Sequence, residues 1–116
     1  MYANPSDREL LELAAKAAGI EVGWVDPVWN DPEAVPYIHL PSGKLWNPLT
    51  DDGDALLLAK ALMMLIEITP SYTEVYCRGF ILSELTSGSE QKHGDPMLYV
   101  RRAIVRAAAE IDKSMK

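Results

Sequence analysis

Cysteine, glycine-rich loops and long apolar runs are scarce in this chain, and each scarcity excludes a class of protein. The single cysteine, Cys77, rules out an intramolecular disulfide framework. The sequence has no glycine-rich phosphate loop and no nucleophile elbow. The longest apolar run, Ala55 to Ile66, has 12 residues and contains Lys60, whereas a bilayer span takes about 20 residues. We therefore expect no membrane span and no secretory leader, and we predict a soluble, cytoplasmic protein.

Length and charge narrow the remaining classes. The chain has 116 residues, of which 48% are apolar and 24% charged, and its net charge is −6. A chain of this length can form one domain that needs neither disulfide nor metal, so we predict a single domain over residues 1–116. Residues 1–58 hold ten acids and three bases, whereas residues 59–116 hold seven acids and eight bases. An acidic chain repels a phosphate backbone unless its cations are grouped, which disfavours general nucleic-acid binding.

The N-terminal half begins with a clearly marked helix. Ser6 and Glu9 form a capping box, and the helical stripe that follows stops at Gly19. Alternating apolar residues then predict a strand over residues 20–24. The proline-rich section after it predicts loops that contain short strands, at residues 37–40 and 44–46.

Three acids, Asp51, Asp52 and Asp54, precede the most apolar segment of the chain. A calcium loop has oxygen ligands at alternate positions, glycine at the sixth position and glutamate at the twelfth. Here Gly53 falls between the acids and the twelfth position is a leucine, so the metal interpretation fails. Thr50 or Asp51 instead caps a helix, and the acids of its first turn interact favourably with the helix dipole.

The helix that follows is apolar nearly all round from Ala55 to Leu65, which predicts a central position in the core. Its least buried face contains Leu57, Lys60 and Met64, which are either covered by another element or exposed for a partner. Trp29 lies in a loop between two prolines, and we expect it to be the most exposed tryptophan. We therefore predict a protein interface formed by Trp29, Leu57, Lys60 and Met64.

Strand-forming residues dominate the segment from Thr73 to Leu82, in which Gly79 marks a bulge. In one continuous strand, Cys77 and Ile81 share a face. A polar loop is predicted over residues 83–94.

The last helix begins at Asp95-Pro96 and runs to about Asp112. The element order α-β-β-β-α-β-β-α predicts an α+β fold. We expect a small sandwich of about three helices packed on a largely antiparallel β-sheet.

The last helix also carries a group of cations. Arg101, Arg102 and Arg106 form a candidate nucleic-acid surface, because they are grouped on one helix. The alternative is a solvated face, in which Glu110 neutralises Arg106 at i,i+4 spacing. The negative net charge favours the solvated face.

Cys77, His39 and His93 are the residues from which a small enzyme or a zinc site would be built. Neither histidine has a cysteine or a second histidine at ligand spacing. A cysteine on the apolar face of a strand is usually an inert core residue. We therefore predict no catalytic residue, no metal site and no cofactor.

Three blocks of this sequence resemble, in the same order, the phage and prophage proteins of the ABA (alpha-beta-alpha) sandwich family. They are RELLELAAKAAGI at residues 8–20, WNPLTDDGDAL at 46–56 and RRAIVRAAAEI at 101–111. The resemblance implies a small α/β sandwich encoded by a phage or prophage, and it implies no catalytic residue.

These observations lead to one functional hypothesis and two alternatives. The hypothesis is a non-enzymatic phage or prophage accessory protein that binds a phage or host protein and self-associates as a homo-oligomer. The first alternative is a nucleic-acid-associated protein that uses the last helix. The second alternative is a small enzyme or metal-binding protein centred on Cys77, His39 and His93.

Overall fold

The computed structural model describes residues 7–25, 37–85, 95 and 97–114. Within these residues the chain forms three helices and two antiparallel sheets, which confirms the predicted α+β class. The elements in chain order are α1 (Asp7–Ala18), β1 (Gly23–Val25), β2 (Tyr37–His39), α2 (Asp52–Ala61), β3 (Leu65–Ile68), β4 (Tyr72–Cys77), β5 (Phe80–Leu85) and α3 (Leu98–Ser114). The strands form a β1–β2 pair and a separate β3–β4–β5 sheet. In the described part of the chain, no helix combines the length and the apolar character needed to cross a membrane.

The helix α3 occupies the centre of the fold. It packs against α1, α2, β4 and β5, and ten of its 17 residues are buried. Four of the buried residues are alanines, whose small side chains let neighbouring elements approach closely. The prediction that α2 is the central helix is therefore wrong.

The helix α1 packs one face on α3. Gly19, with a φ of +71°, ends this helix as predicted, and the amide of Ile20 donates to the carbonyl of Ala15 at 2.8 Å. A left-handed glycine followed by this bond is a Schellman motif, which satisfies a helical carbonyl while the chain turns away. The predicted cap at Ser6 lies outside the described residues. The buried residues of α1 are Leu10, Leu11, Ala14 and Ala15.

The helix α2 ends at Ala61, four residues earlier than the sequence predicts. Leu62 is its C-cap, Met63 adopts a left-handed φ of +55°, and the amide of Met64 donates to the carbonyl of Ala59 at 3.0 Å. The segment that follows is the strand β3, which begins at Leu65. The buried residues of α2 are Ala55, Leu58 and Ala59.

The strands β4 and β5 form a hairpin, where the sequence predicts one strand with a bulge at Gly79. Cys77 pairs with Phe80, so Arg78 and Gly79 are the two turn residues, with φ values of +51° and +85°. Two successive left-handed residues match the twist of a tight hairpin. The reversal of the chain puts Ile81 on the face opposite Cys77, so the predicted sharing of one face is wrong.

The three-stranded sheet turns one face to the core. Along β4, Thr73, Val75 and Cys77 are buried and alternate with half-buried residues. Ile66 of β3 and Leu82 of β5 pack against the same core. The strand β5 continues through residue 85. Residues 83–85, which were predicted to begin a loop, therefore belong to this strand.

The strands β1 and β2 are shorter than predicted and pair with Trp24 opposite Ile38. The predicted third strand of this region contributes one bridge, between Leu45 and His39. The amide of Trp46 then donates to the carbonyl of Ile38 at 3.1 Å. The buried Trp46 thus enters the core directly before the chain turns into α2.

Candidate functional site

The turn between Trp46 and α2 is held by hydrogen bonds from its own polar side chains. Asn47 accepts from the amide of Leu49 at 3.0 Å through Oδ1, and its own amide donates to Asp54 Oδ2 at 2.9 Å. Asp51 is the N-cap, because its Oδ2 accepts from the amide of Asp54 at 2.8 Å. This geometry confirms Asp51, rather than Thr50, as the cap. Two of the three acids are thus oriented by backbone amides.

A cleft of about 450 Å³ lies beside this turn. Its wall contains Asp51, which is the N-cap of α2, and Asp54, which accepts from the amide of Asn47, and Lys44 adds one cation. In residues 7–25, 37–85, 95 and 97–114, no group of three His, Cys, Asp or Glu side chains is arranged to hold a metal ion. The residues that line the cleft are Ile38, Lys44, Leu45, Asn47, Thr50, Asp51 and Asp54.

Arg101 joins the start of α3 to the start of α2. Its Nε donates to the carbonyl of Leu49 at 2.7 Å, its Nη1 donates to Asp52 Oδ1 at 2.6 Å, and its Nη2 donates to Asp95 Oδ2. The residue is only 6% exposed. The prediction that Arg101 belongs to an exposed nucleic-acid surface is therefore wrong, because the guanidinium is buried and occupied within the protein.

The charges around Arg101 shift the pKa values of two groups. Burial alone lowers the pKa of the Arg101 guanidinium, but hydrogen bonds to Asp95 and Asp52 outweigh burial and raise it above its usual value. The hydrogen bond from Arg101 lowers the pKa of the Asp95 carboxyl. Asp95 also accepts from the amide of Met97 at 3.0 Å, in the turn that leads into α3, and this bond lowers its pKa further.

Arg102 and Arg106 are partly exposed and share one carboxylate. Arg106 donates to Glu84 of β5, and the Nε of Arg102 lies 3.9 Å from the other oxygen of Glu84. Glu110 forms its ion pair with Lys113 at 3.5 Å. The predicted pairing of Glu110 with Arg106 is therefore wrong, since Glu84 holds Arg106 from the neighbouring sheet. Neither arginine stands as an isolated cation.

Cys77 and His39 lie in different sheets. The Sγ of Cys77 is buried and donates to the carbonyl of Leu62 at 3.2 Å. The Nδ1 of His39 lies 2.9 Å from the carbonyl of Leu40. His93 lies outside the described residues. Each of the two described side chains therefore has a local backbone partner of its own.

Two of the three tryptophans lie in the described part of the chain. Trp46 is buried in the core. Trp24 is half-buried, and the guanidinium of Arg8 lies 4.5 Å from the centre of its ring, a cation–π contact. Trp29, which the sequence places in the predicted interface, lies outside the described residues.

The predicted interface on α2 is partly exposed, so the alternative in which another element covers all of it does not hold for the described residues. Leu57 is 62% exposed and Lys60 is also exposed. Met64, in contrast, lies beyond the end of the helix and packs, half-buried, against the core. Met64 therefore does not belong to the exposed face of α2.

In and directly after α2, two further exposed apolar residues were missed by the sequence interpretation. Leu56 is 68% exposed and Met63 is 85% exposed. Leu56 could have been found, because it precedes Lys60 by one helical turn and so lies on the same face. Met63 could not, since its exposure depends on where the helix ends. We call Leu56, Leu57 and Lys60 the α2 face.

Comparison with known protein families, with curated proteins and with solved structures finds no match for this chain.

Proposed function

We propose that the chain is a non-enzymatic phage or prophage accessory protein that works by binding proteins, and that the α2 face is where two copies associate. The supporting observation is the exposure of Leu56 and Leu57 side by side on a helix whose opposite face is buried. Neighbouring exposed leucines are typical of interaction surfaces, whereas single exposed apolar residues are ordinary. The resemblance of three sequence blocks to phage proteins supports the biological setting, which we take to be the host cytoplasm.

The charges on α2 favour a second copy of the chain as the partner that binds the α2 face. The first turn carries Asp52 and Asp54, and the last turn carries Lys60. In an antiparallel contact centred on Leu56 and Leu57, Lys60 of each copy lies over the acidic first turn of the other. Such a contact is self-complementary, as a two-fold interface requires.

The expected dimer is weak and reversible. Burial of a partly exposed leucine contributes about 1–2 kcal/mol, a fraction of the value for a fully exposed side chain. Two leucines from each copy therefore contribute about 4–8 kcal/mol. This exceeds the lower estimates of the association cost, about 4 kcal/mol, by up to about 4 kcal/mol, which is the free energy of a dissociation constant of about 1 mM. The Lys60 contacts add a further small contribution. We expect dissociation at micromolar concentrations and dimers as the concentration approaches about 1 mM.

Sedimentation equilibrium over a wide concentration range tests this proposal. We expect the wild-type weight-average mass to rise with concentration and Leu57→Lys to stay monomeric. Leu45→Lys is the matched control, because Leu45 is 61% exposed but lies outside α2. A wild-type chain that stays monomeric at about 1 mM, or equal loss of association in both variants, would overturn the proposal.

The nucleic-acid alternative has less support. Arg101 is buried, and Arg102 and Arg106 share Glu84. Binding to phosphate would have to displace these internal contacts, and such binding would fall steeply with salt. A salt titration of DNA binding by the wild-type chain distinguishes this alternative from protein binding.

A further inference from the structure

The outer face of the three-stranded sheet, opposite the core, carries two neighbouring rows of side chains. The register puts Leu65 opposite Tyr76 and Tyr76 opposite Ile81, so these three residues form an apolar row across the sheet. Leu65 and Ile81 are both largely exposed. Two positions further along the strands, a second row crosses the same face. We call it the acidic row, and it consists of Glu67, Glu74 and Ser83.

The acidic row is oriented by hydroxyl groups on the same face. Glu74 accepts from the hydroxyl of Tyr76 at 2.7 Å and from that of Ser83 at 2.8 Å. Glu67 accepts from the hydroxyl of Tyr72 at 3.2 Å. These bonds leave two carboxylates directly opposite each other on adjacent strands, an arrangement that opposes folding.

The hydrogen bonds also set the ionisation states on this face. The bonds from Tyr76 and then Ser83 lower the pKa of the Glu74 carboxyl, so it is charged at neutral pH. The bond to Glu74 raises the pKa of the Tyr76 hydroxyl to about 12, and the charge of Glu67 raises that of Tyr72. Both tyrosines therefore remain neutral donors, and the face is negative throughout the physiological range.

We infer that this outer face docks a basic, extended segment of a partner protein. An apolar side chain of the segment lies on the row of Leu65, Tyr76 and Ile81, and a Lys or Arg two positions away lies between Glu67 and Glu74. Two residues of an extended chain advance about 7 Å, which matches the spacing of the two rows. A cation there removes the repulsion between the carboxylates and can also contact the tyrosine rings. The inference rests on the proposed function as a protein-binding chain, but it concerns a different surface from the α2 face.

The test uses short synthetic peptides and the full chain. The probe is a fluorescein-labelled peptide in which leucine and arginine alternate at every second position, with serine between them. One comparison peptide has glutamate in place of arginine, and a second has serine in place of leucine. We expect anisotropy to report binding of the probe, weaker binding of the serine peptide and no binding of the glutamate peptide. Raising the salt from about 0.05 M to about 0.3 M should weaken the binding.

Charge-neutral variants locate the binding surface. We expect Glu67→Gln with Glu74→Gln to weaken probe binding by about tenfold. The matched control, Glu12→Gln with Glu110→Gln, removes the same charge from exposed positions on α1 and α3 and should leave binding unchanged. Equal weakening by both pairs would show unspecific attraction to an acidic chain and would overturn the inference, as would no binding of the probe.

Sedimentation of the same variants separates this inference from the proposed dimer. Glu67→Gln with Glu74→Gln should leave self-association unchanged, and Leu57→Lys should leave probe binding unchanged. Loss of dimerisation alone would count against the α2 face. Failure of probe binding alone would count against the outer face of the sheet.

Discussion

The more apolar of the two helices α2 and α3 is the less buried one, which is the reverse of what hydrophobicity alone predicts. The apolar helix α2 buries only one side and leaves Leu56 and Leu57 in solvent. The more polar helix α3 carries Arg101 and Asp112, yet both of these residues are buried. Local hydropathy therefore ranks the two helices in the wrong order, because burial depends on how many elements surround a helix.

The residues of each helix explain the reversal. The alanines of α3 let α1 and two strands pack closely around it, and Arg101 becomes buried because Asp52, Asp95 and a carbonyl receive its hydrogen bonds. Within the described part of the chain, no such neighbours cover the leucines on the exposed side of α2. Apolar residues that do not serve the core are thus the strongest pointer to a binding surface in this chain.

The difference in burial between α2 and α3 is tested most sharply by truncating one aliphatic side chain on each helix. Ile111 of α3 is fully buried, so Ile111→Ala should lower the free energy of unfolding by about 2–5 kcal/mol. Leu57→Ala on α2 should change it by less than about 0.5 kcal/mol, because the side chain is already in water. Urea unfolding of both variants at low protein concentration measures the difference. A larger loss for Leu57→Ala would reverse the assignment of the two helices.

Arg101 provides the next largest effect. Arg101→Met keeps most of the side-chain volume but leaves the Leu49 carbonyl, Asp52 and Asp95 without their donor. We expect a loss of about 2–3 kcal/mol in the free energy of unfolding. Arg102→Met is the matched control, since Arg102 is partly exposed and lies 3.9 Å from Glu84, and it should cost less than about 0.5 kcal/mol. Comparable losses in the two variants would show that the buried hydrogen bonds add little.

The contribution of Arg101 should also depend on pH. Arg101 lowers the pKa of Asp95 in the folded state, so this interaction stabilises the fold above the unfolded value of about 3.9. The stabilisation is lost as the pH falls through the lower, folded pKa. The gap in unfolding free energy between wild type and Arg101→Met should therefore narrow below about pH 4. A gap that stays constant down to about pH 2 would contradict this assignment.

The cap of α2 should have the smallest effect. Asp51→Ala removes the acceptor for the Asp54 amide, and we expect a loss of about 1 kcal/mol in the free energy of unfolding. Asp51→Asn keeps an acceptor at the same place and should recover most of the loss. Thermal or urea unfolding measures both. If Asp51→Asn is as unstable as Asp51→Ala, the carboxylate acts through its charge and not as a hydrogen-bond cap.

Local signals in the sequence predicted local structure well. Gly19 ends α1 and Asp51 caps α2, because these residues act on the backbone within a few positions. The α+β class also follows from the order of helices and strands. The hairpin at Arg78 and Gly79 was missed because one of its two left-handed residues is an arginine, which rarely adopts that conformation.

The candidate site was harder to predict, because it depends on contacts between distant segments. Arg101 lies 49 residues from Asp52 in the chain, and no local sequence pattern predicts their pairing. Met64 leaves the helical face because α2 ends at Ala61. The sequence assigned Leu57 and Lys60 to the least buried face of α2, because a charged residue marks it, and left open whether another element covers this face. In the structure both residues are exposed.

The central claim is that the exposed leucines of α2, Leu56 and Leu57, serve association between two copies of the chain. Disulfide trapping at position 57 tests this claim most directly. Cys77 is the single cysteine and is buried, so Leu57→Cys introduces one accessible thiol. If two copies meet through the α2 face, mild oxidation should convert most of this variant into a covalent dimer at concentrations near 1 mM. The control Leu45→Cys should stay largely monomeric. Equal and slow cross-linking of both variants would contradict the account.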